Sequence, residues 1–184
     1  MEFEEQLKIP HSRIAVLIGQ GGEVKKHIEK TLNVKLKIDS KEGDVSISGE
    51  DSLDLVMVHN VVKAIGRGFN PEVALSLLDE SMVFETLDII DYAGKSKKKL
   101  IRLRGRAIGM EGKARENIEA LTNTHVMVFG KTVSIIGEYD HVELARKAFE
   151  SLLAGARHAT IYSWLEKQSR ELRKLKVMER KAGL

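Results

Sequence analysis

Two segments of the chain have the residue types and spacing needed to hold a phosphate group. They are Ile-Gly-Gln-Gly-Gly at residues 18–22 and Ile-Gly-Met-Glu-Gly at residues 108–112. Glycine has no Cβ, so the backbone can turn sharply and a phosphodiester can approach the main chain. A helical sequence follows each segment, and the first N–H groups of a helix can donate hydrogen bonds to phosphate oxygens. Both segments therefore predict a loop that holds a polynucleotide backbone.

Positively charged side chains accompany both loops, and each phosphate that they neutralise adds to affinity by releasing counterions. The loop contacts that we expect are Gly19, Gln20, Gly21 and Gly22 in the first segment and Gly109, Met110, Glu111 and Gly112 in the second. The expected cationic contacts are Arg13, Lys25, Lys26 and Lys35, and then Arg102, Arg104, Arg106, Lys113, Arg115 and Lys131. Glu111 opposes phosphate, but the basic run at residues 95–106 precedes it. We therefore expect the second loop to contribute more affinity.

The two loops belong to an internal repeat that predicts the elements around them. Residues 18–38 align without gaps on residues 108–128, and residues 45–50 align with residues 133–138. The hydrophobic periodicity of each copy predicts a strand, a helix, the glycine loop, a helix, a strand, a turn, a strand and a helix. The predicted strands are 3–9, 34–38 and 45–48, then 84–90, 124–129 and 132–136. The predicted helices are 13–18, 23–32 and 51–66, then 96–108, 113–121 and 140–154.

A lone G-x-x-G occurs in many ordinary turns, so its context carries the interpretation. Each loop is preceded by isoleucine, is followed six residues later by another isoleucine and leads to an alternating strand. This pattern resembles the KH family in its type I form. The resemblance implies an α+β fold with two tandem type I KH domains, each a three-stranded antiparallel sheet packed by three helices, plus a basic C-terminal helix. We expect the first KH domain at 1–68, an acidic linker with a short helix at 69–81, the second KH domain at 82–156 and the basic helix at 157–184.

The KH resemblance implies that single-stranded RNA is the ligand, because the groove beside such a loop takes about four unstacked nucleotides. Both copies depart from the family pattern three positions after the last loop glycine. Lys25 and Arg115 stand there in place of an aliphatic residue. We expect this departure to bring an additional cation near the RNA.

The C-terminal segment predicts an amphipathic helix. Its apolar stripe contains Ile161, Leu165, Gln168, Leu172 and Leu175, with Trp164 beside it. We expect this helix to dock on the second module. A contact of its cations Arg170, Arg173 and Lys174 with phosphate stays open.

A longer stretch narrows the resemblance further. The chain resembles the second half of the archaeal Partner-of-Nob family of pre-ribosomal KH proteins in two strings, GRAIGMEGKAREN and then LTNTHVMVFGKTVSIIGEYDHVELARKAFESLLAGARHATIYSWLEK. The resemblance covers essentially the whole chain and implies binding near the 3′ end of small-subunit ribosomal RNA. It also implies the endonuclease Nob, the dimethyladenosine transferase and the alpha subunit of translation initiation factor two as partners. Two alternatives stay open, a KH-fold adaptor for protein interactions and a general regulator that binds messenger RNA.

The composition of the chain limits the other function classes. Its 184 residues include no cysteine, which excludes disulfides, thiolate zinc sites and cysteine nucleophiles. The six histidines have no metal-ligand spacing and no serine lies in a nucleophile elbow, so we expect no enzymatic activity, no metal and no cofactor. The chain has no apolar run of membrane-spanning length, and its acidic start differs from a secretory signal. We therefore expect a cytoplasmic protein without a membrane partner.

Overall fold

The computed structural model describes residues 3–183, and both copies of the repeat fold as α+β modules. Contacts divide the chain into two compact units, the first ending at Phe84 and the second beginning at Glu85. Each unit contains one three-stranded antiparallel sheet and one of the glycine loops. The predicted fold class, two tandem KH modules followed by a C-terminal helix, is confirmed.

The first unit builds its sheet in the strand order β1-β3-β2. Its elements are β1 (Phe3–Lys8), α1 (His11–Ile18), α2 (Glu23–Thr31), β2 (Lys35–Ile38), β3 (Asp44–Gly49), α3 (Ser52–Gly66) and α4 (Pro71–Leu75). Leu36 of β2 pairs with Ile47 of β3, and both side chains are buried, whereas the flanking Lys35 and Lys37 are exposed. Alternate residues of a strand point to opposite faces, so one face of the sheet meets the helices.

The ends of the helices follow local signals in the sequence. Asn33 and Asn123, which follow the second helix of each copy, adopt φ values of 50° and 51°, a left-handed conformation that asparagine tolerates at a helix end. The Asp51 side chain accepts a hydrogen bond of 2.8 Å from the N–H of Leu53 and thereby caps α3. These local bonds fix where each helix begins or ends and so set the position of the following element.

The segment predicted as an acidic linker contains α4 and a 3₁₀ turn at Ser76–Leu78. Both pack against α3, and Phe69, Ala74 and Leu77 are buried there. These residues therefore extend the core of the first unit. The domain boundaries that the sequence suggests stay a prediction.

The second unit repeats the arrangement with the strand order β4-β6-β5. Its elements are β4 (Met82–Asp88), which begins before the division, then α5 (Ile90–Ala93), α6 (Lys97–Ile108), α7 (Lys113–Thr122), β5 (His125–Phe129), β6 (Thr132–Glu138), α8 (Tyr139–Leu153) and α9 (His158–Ala182). The first strand was predicted to reach residue 90, but it ends at Asp88 and a helical turn follows. Ile89 and Ala93, four residues apart, are both buried, which places them on one side of that turn.

The C-terminal helix α9 packs on α7 and α8. Ile161 and Leu165 are buried, and the Ser169 hydroxyl donates a hydrogen bond to the carbonyl of Leu121. Leu175 is 57% exposed, so the apolar stripe ends earlier than predicted. The expectation of a docking helix on the second module is confirmed.

Candidate nucleic-acid interface

The two glycine loops have the same backbone conformation. Each is a 3₁₀ turn, Gln20–Gly22 or Met110–Gly112, between two α-helices. The φ values are 75°, 59° and 80° at Gly19, Gly21 and Gly22, and 76°, 52° and 80° at Gly109, Glu111 and Gly112. The two loops differ in sequence at both middle positions, yet their backbones follow one path. The repeat therefore preserves the shape of the loop.

The first glycine of each loop is required by both its backbone and its surroundings. Gly109 has φ 76° and ψ 177°, a region that is essentially restricted to glycine. A Cβ on Gly109 would lie 2.5 Å from Cβ and 2.6 Å from the backbone N of Ala114. A Cβ on Gly19 would lie 2.6 Å from Cγ2 of Val24. The absent side chain lets the following helix pass directly against the loop.

The helix that follows each loop begins without a side-chain cap. Gly22 is the N-cap residue of α2 and Gly112 is the N-cap residue of α7, both in the left-handed conformation. Neither N-cap makes a side-chain hydrogen bond, and the first N–H group of each helix, at Glu23 or Lys113, donates to the carbonyl of Gln20 or Met110. A helix N-terminus without a capping side chain can offer its next N–H groups to a ligand. The side chains at the loop tips are exposed, and Met110 is 81% exposed. This arrangement presents N–H donors and a partial positive charge at an open surface.

One predicted cation lies beside each loop. Lys26 donates a hydrogen bond of 3.2 Å from Nζ to the carbonyl of Gly21. Nζ of Lys113 lies 4.0 Å from a carboxylate oxygen of Glu111, and both side chains are strongly exposed. In the second loop, therefore, a lysine partly compensates the acid that faces the expected phosphate path.

The two cations that depart from the KH pattern have partners inside the protein. Nζ of Lys25 lies 3.8 Å from Oε1 of Glu29, and Nη1 of Arg115 lies 2.7 Å from Oε2 of Glu119. Each glutamate also accepts a hydrogen bond from a backbone N–H of the neighbouring strand. Glu29 Oε1 lies 2.8 Å from the N of Leu36, and Glu119 Oε1 lies 2.7 Å from the N of Val126. The cation and the glutamate together tie the second helix to the strand in each module.

Sequence reasoning did not assign a role to these glutamates. Glu29 and Glu119 occupy matching positions in the repeat, and this identity could have indicated a shared role. Their strand partners, however, follow seven residues later along the chain. Only the fold brings carboxylate and amide together.

Two further predicted cations, Arg13 and Arg106, bind carbonyls at the C-terminal ends of α3 and α8. Arg13 donates hydrogen bonds of 2.8 and 2.7 Å to the carbonyls of Ile65 and Phe69, and burial lowers the pKa of its guanidinium. Arg106 donates to the carbonyls of Leu152 and Ala156 at 3.4 and 2.5 Å. The unpaired carbonyls at a helix C-terminus are partially negative, so an arginine there stabilises the helix.

The remaining predicted cations are exposed on the surface of their own unit. Lys35 lies at the start of β2, and Lys131 lies in the turn between β5 and β6. Arg102 and Arg104 are exposed on α6, on either side of the buried Leu103. The structure thus separates the predicted site into exposed cations and cations that support the fold.

Comparison with known proteins agrees with this geometry. A KH domain model matches residues 4–57, and the model for the second KH domain of PNO1 proteins, described as a eukaryotic type (type I) KH domain, matches residues 83–170. A KH domain-containing protein of Methanocaldococcus jannaschii is 49% identical over 174 residues, which are 92% of this chain and 76% of the relative. The chain belongs to the Partner-of-Nob family of KH-domain proteins. Its two G-x-x-G loops are accordingly the KH loops of this family.

Two further relatives extend the comparison. The pre-rRNA-processing protein PNO1 of Debaryomyces hansenii is 28% identical over 137 residues, which are 74% of this chain and 54% of that protein. A chain in the crystal structure of the a/eIF2alpha–aDim2p–rRNA complex of Pyrococcus horikoshii is 42% identical and superposes with a TM-score of 0.85. That superposition covers 92% of this chain and 96% of the Pyrococcus chain.

Residues 3–183 contain no group of three or more His, Asp or Glu side chains placed to hold a metal ion. Within the same residues, no helix combines the length and the apolar character of a membrane span.

Proposed function

We propose that this protein is a single-stranded RNA-binding factor of small ribosomal subunit assembly that grips the RNA backbone with its two G-x-x-G loops. The observation that carries the proposal is the conformation of Glu111. Its φ of 52° lies close to the 59° of Gly21, the glycine at the same position of the first loop. A left-handed conformation costs a non-glycine residue about 1–2 kcal/mol. Retention of a costly shape supports a role in ligand binding, since a purely structural turn would be free to relax.

Exposure divides the roles among the candidate residues. The loop backbones at 19–22 and 109–112 hold phosphate, helped by the adjacent Lys26 and Lys113. Lys35, Lys131, Arg102 and Arg104 attract the strand from exposed positions. Arg13, Lys25, Arg106 and Arg115 act indirectly, because their internal hydrogen bonds and ion pairs position the helices and strands around the loops.

The family points to the RNA and to the protein partners. The RNA is small-subunit ribosomal RNA near its 3′ end, and the alpha subunit of translation initiation factor two is a protein partner, as in the Pyrococcus complex. The endonuclease Nob and the dimethyladenosine transferase act beside it. The protein contributes binding and no catalytic step, and it acts in the cytoplasm, where ribosomal RNA matures in cells without a nucleus.

The proposal is tested by placing a charge in the first loop without changing its shape. Gly21 has open space where a Cβ would lie, and its φ is 59°. Aspartate and asparagine both tolerate this region, so Gly21→Asn is the matched neutral control for Gly21→Asp. A carboxylate about 5 Å from a phosphate repels it by about 1 kcal/mol in water, which is roughly fivefold in affinity.

The measurement is a titration of single-stranded and duplex RNA of one sequence at several salt concentrations. We expect binding to single strands to weaken with salt, and Gly21→Asp to bind less tightly than Gly21→Asn. Equal affinity of the wild-type protein for both RNA forms, or no salt dependence, would refute the proposal and favour a protein-interaction adaptor.

A further inference from the structure

The second unit contains ten residues that the first unit lacks. Ile9 donates its N–H to Gly43 at 3.0 Å, and Ile89 makes the corresponding bond to Lys131 at 2.8 Å. The first loop glycine follows ten residues after Ile9 but twenty residues after Ile89. The additional residues form α5 and the beginning of α6, which has 12 residues where α1 has eight.

This insertion has a defined structure. The N–H of Gly94 donates to the carbonyl of Ile90 at 2.7 Å and closes α5. The Ser96 hydroxyl accepts a hydrogen bond of 3.2 Å from the N–H of Lys99 and caps α6. The side chain of Ala93 is buried. The insertion is therefore a built part of the module, and its side chains have fixed starting positions.

The charges of the insertion oppose the usual arrangement of a helix. Lys97, Lys98 and Lys99 occupy the first turn of α6, and that turn has no acidic residue. The N-terminal end of a helix is already partially positive, so each exposed lysine there is unfavourable by about 0.3–1 kcal/mol. A local rule broken in this way is common where a ligand supplies the compensating charge.

A basic pocket of about 430 Å³ lies between the insertion and the end of α8. Lys99, Arg102 and Arg106 line one side of it with helical spacing, and Tyr92 and Gly155 lie on other sides. Among the described residues, no acidic side chain lines this pocket. Burial, and then the charges of Glu150 and Asp91, raise the pKa of Tyr92. A tyrosine hydroxyl is protonated at neutral pH and can donate a hydrogen bond.

We infer that this pocket is a second phosphate-binding subsite, in which Lys99, Arg102 and Tyr92 hold a backbone phosphate of the same RNA strand that the second glycine loop binds. Arg106 is already bonded to carbonyls at the end of α8 and shapes the wall of the pocket. Lys99 and Arg102 are exposed and lie three residues apart on one helix, so both can reach one anion.

The position of the pocket favours an RNA strand over a separate small anion. Lys99 precedes Gly109 by ten residues, and a helix rises 1.5 Å per residue, so the Lys99 end of the pocket lies about 15 Å along α6 from the loop. A few nucleotides of extended strand span that distance. The inference rests on the proposed RNA binding and adds a contact beyond the four nucleotides that a KH groove holds.

The test compares two double variants of the full chain. Lys99→Gln with Arg102→Gln removes two charges that line the pocket. Lys97→Gln with Lys98→Gln removes two charges from the same helix outside the pocket. Each protein, after circular dichroism has confirmed its fold, is titrated with a single-stranded RNA tetramer, with a decamer and with inorganic phosphate.

We expect the pocket variant to bind the decamer about tenfold more weakly than the wild-type protein in 50 mM salt. Its loss of affinity for the tetramer should be much smaller, because a tetramer in the groove has no phosphate in the pocket and meets Arg102 only as a more distant charge. The slope of log K against log salt concentration should be shallower by about 0.7, since the pocket is proposed to hold one phosphate and each phosphate contact on a single strand contributes about 0.7. The variant outside the pocket should lose much less affinity.

Three outcomes would overturn the inference. The first is that the pocket variant binds the decamer as tightly as the wild-type protein does. The second is that the variant outside the pocket loses as much affinity as the pocket variant, which would indicate a general effect of charge. The third outcome is that inorganic phosphate binds at Lys99 and Arg102 while tetramer and decamer respond alike. If the wild-type protein binds neither RNA, the proposed RNA binding itself is wrong. That result differs from the three outcomes above, in which the protein binds RNA but the pocket does not contribute as inferred.

Discussion

The two glycines of a G-x-x-G loop look equivalent in the sequence, but the structure predicts that their replacement has unequal consequences. In Gly109→Ala the new Cβ would lie 2.6 Å from a backbone nitrogen of α7, and the backbone conformation is one that alanine rarely adopts. The conformation costs about 1–3 kcal/mol and the crowding about 1–3 kcal/mol, so we expect a loss of about 4 kcal/mol. In Gly112→Ala the nearest atom is 3.7 Å away, and only the left-handed conformation contributes, about 1–2 kcal/mol.

Unfolding of the second unit can be followed selectively, because Trp164 on α9 is the only tryptophan in the chain. Urea and thermal unfolding monitored by its fluorescence should give the free energy lost in each variant. A difference of 2–3 kcal/mol between the variants corresponds to about 10–20 °C in Tm for a domain of this size. Gly19→Ala, in the first unit, is the control that should leave the tryptophan transition in place. Equal destabilisation by Gly109→Ala and Gly112→Ala would refute the reasoning.

Three further predictions concern charge. Met110→Asp should reduce affinity for single-stranded RNA more than Gln20→Asp, because the basic α6 leads into the second loop; a larger loss for Gln20→Asp in the same filter-binding assay would contradict this. Glu111→Gln should raise affinity about fivefold at low salt, since it removes one repulsive charge near phosphate, and a gain that persists unchanged in high salt would exclude this electrostatic cause. The hydrogen bond and charge of Lys176 hold the pKa of Glu138 below its ordinary value, so the stabilisation from this pair is full above pH 4.5 and is lost as the pH falls through the lowered pKa. Urea unfolding between pH 7 and pH 3 should therefore show a smaller pH dependence in Lys176→Gln, and identical profiles would count against the role of the pair.

The repeat made most of the secondary structure predictable. The predicted strands and helices of both copies begin and end within two residues of the observed positions, although the strand predicted to reach residue 90 ends at Asp88 and the turn α5 was not predicted. That error has a local cause, since Ile89 and Ile90 form a short apolar pair between Asp88 and Asp91, which suits the end of a strand and a buried helical turn equally well. The segment of α4 was expected to contain a short helix, but its packing against α3 was not expected.

The roles of charged residues were less predictable than the elements that carry them. Arg13 and Arg106 are basic residues near a loop, and the sequence gives no reason to separate them from Arg102 or Arg104. Their partners are carbonyls 46–56 residues away in sequence, at the ends of α3 and α8. The contact of each candidate residue with RNA stays a prediction.

The fold, the two loops and the family can be read from the amino-acid sequence, because they depend on periodicity, glycine positions and a repeated pattern that are all local. Which cations have partners inside the protein and which are free depends on the folded structure. Lys25 and Arg115 bind glutamates that also hold a strand, whereas Lys99 and Arg102 line an open pocket. The physical reason is that a side chain's partner is set by which distant backbone and side-chain atoms folding brings within about 3 Å of it, and no local pattern in the sequence specifies that distance.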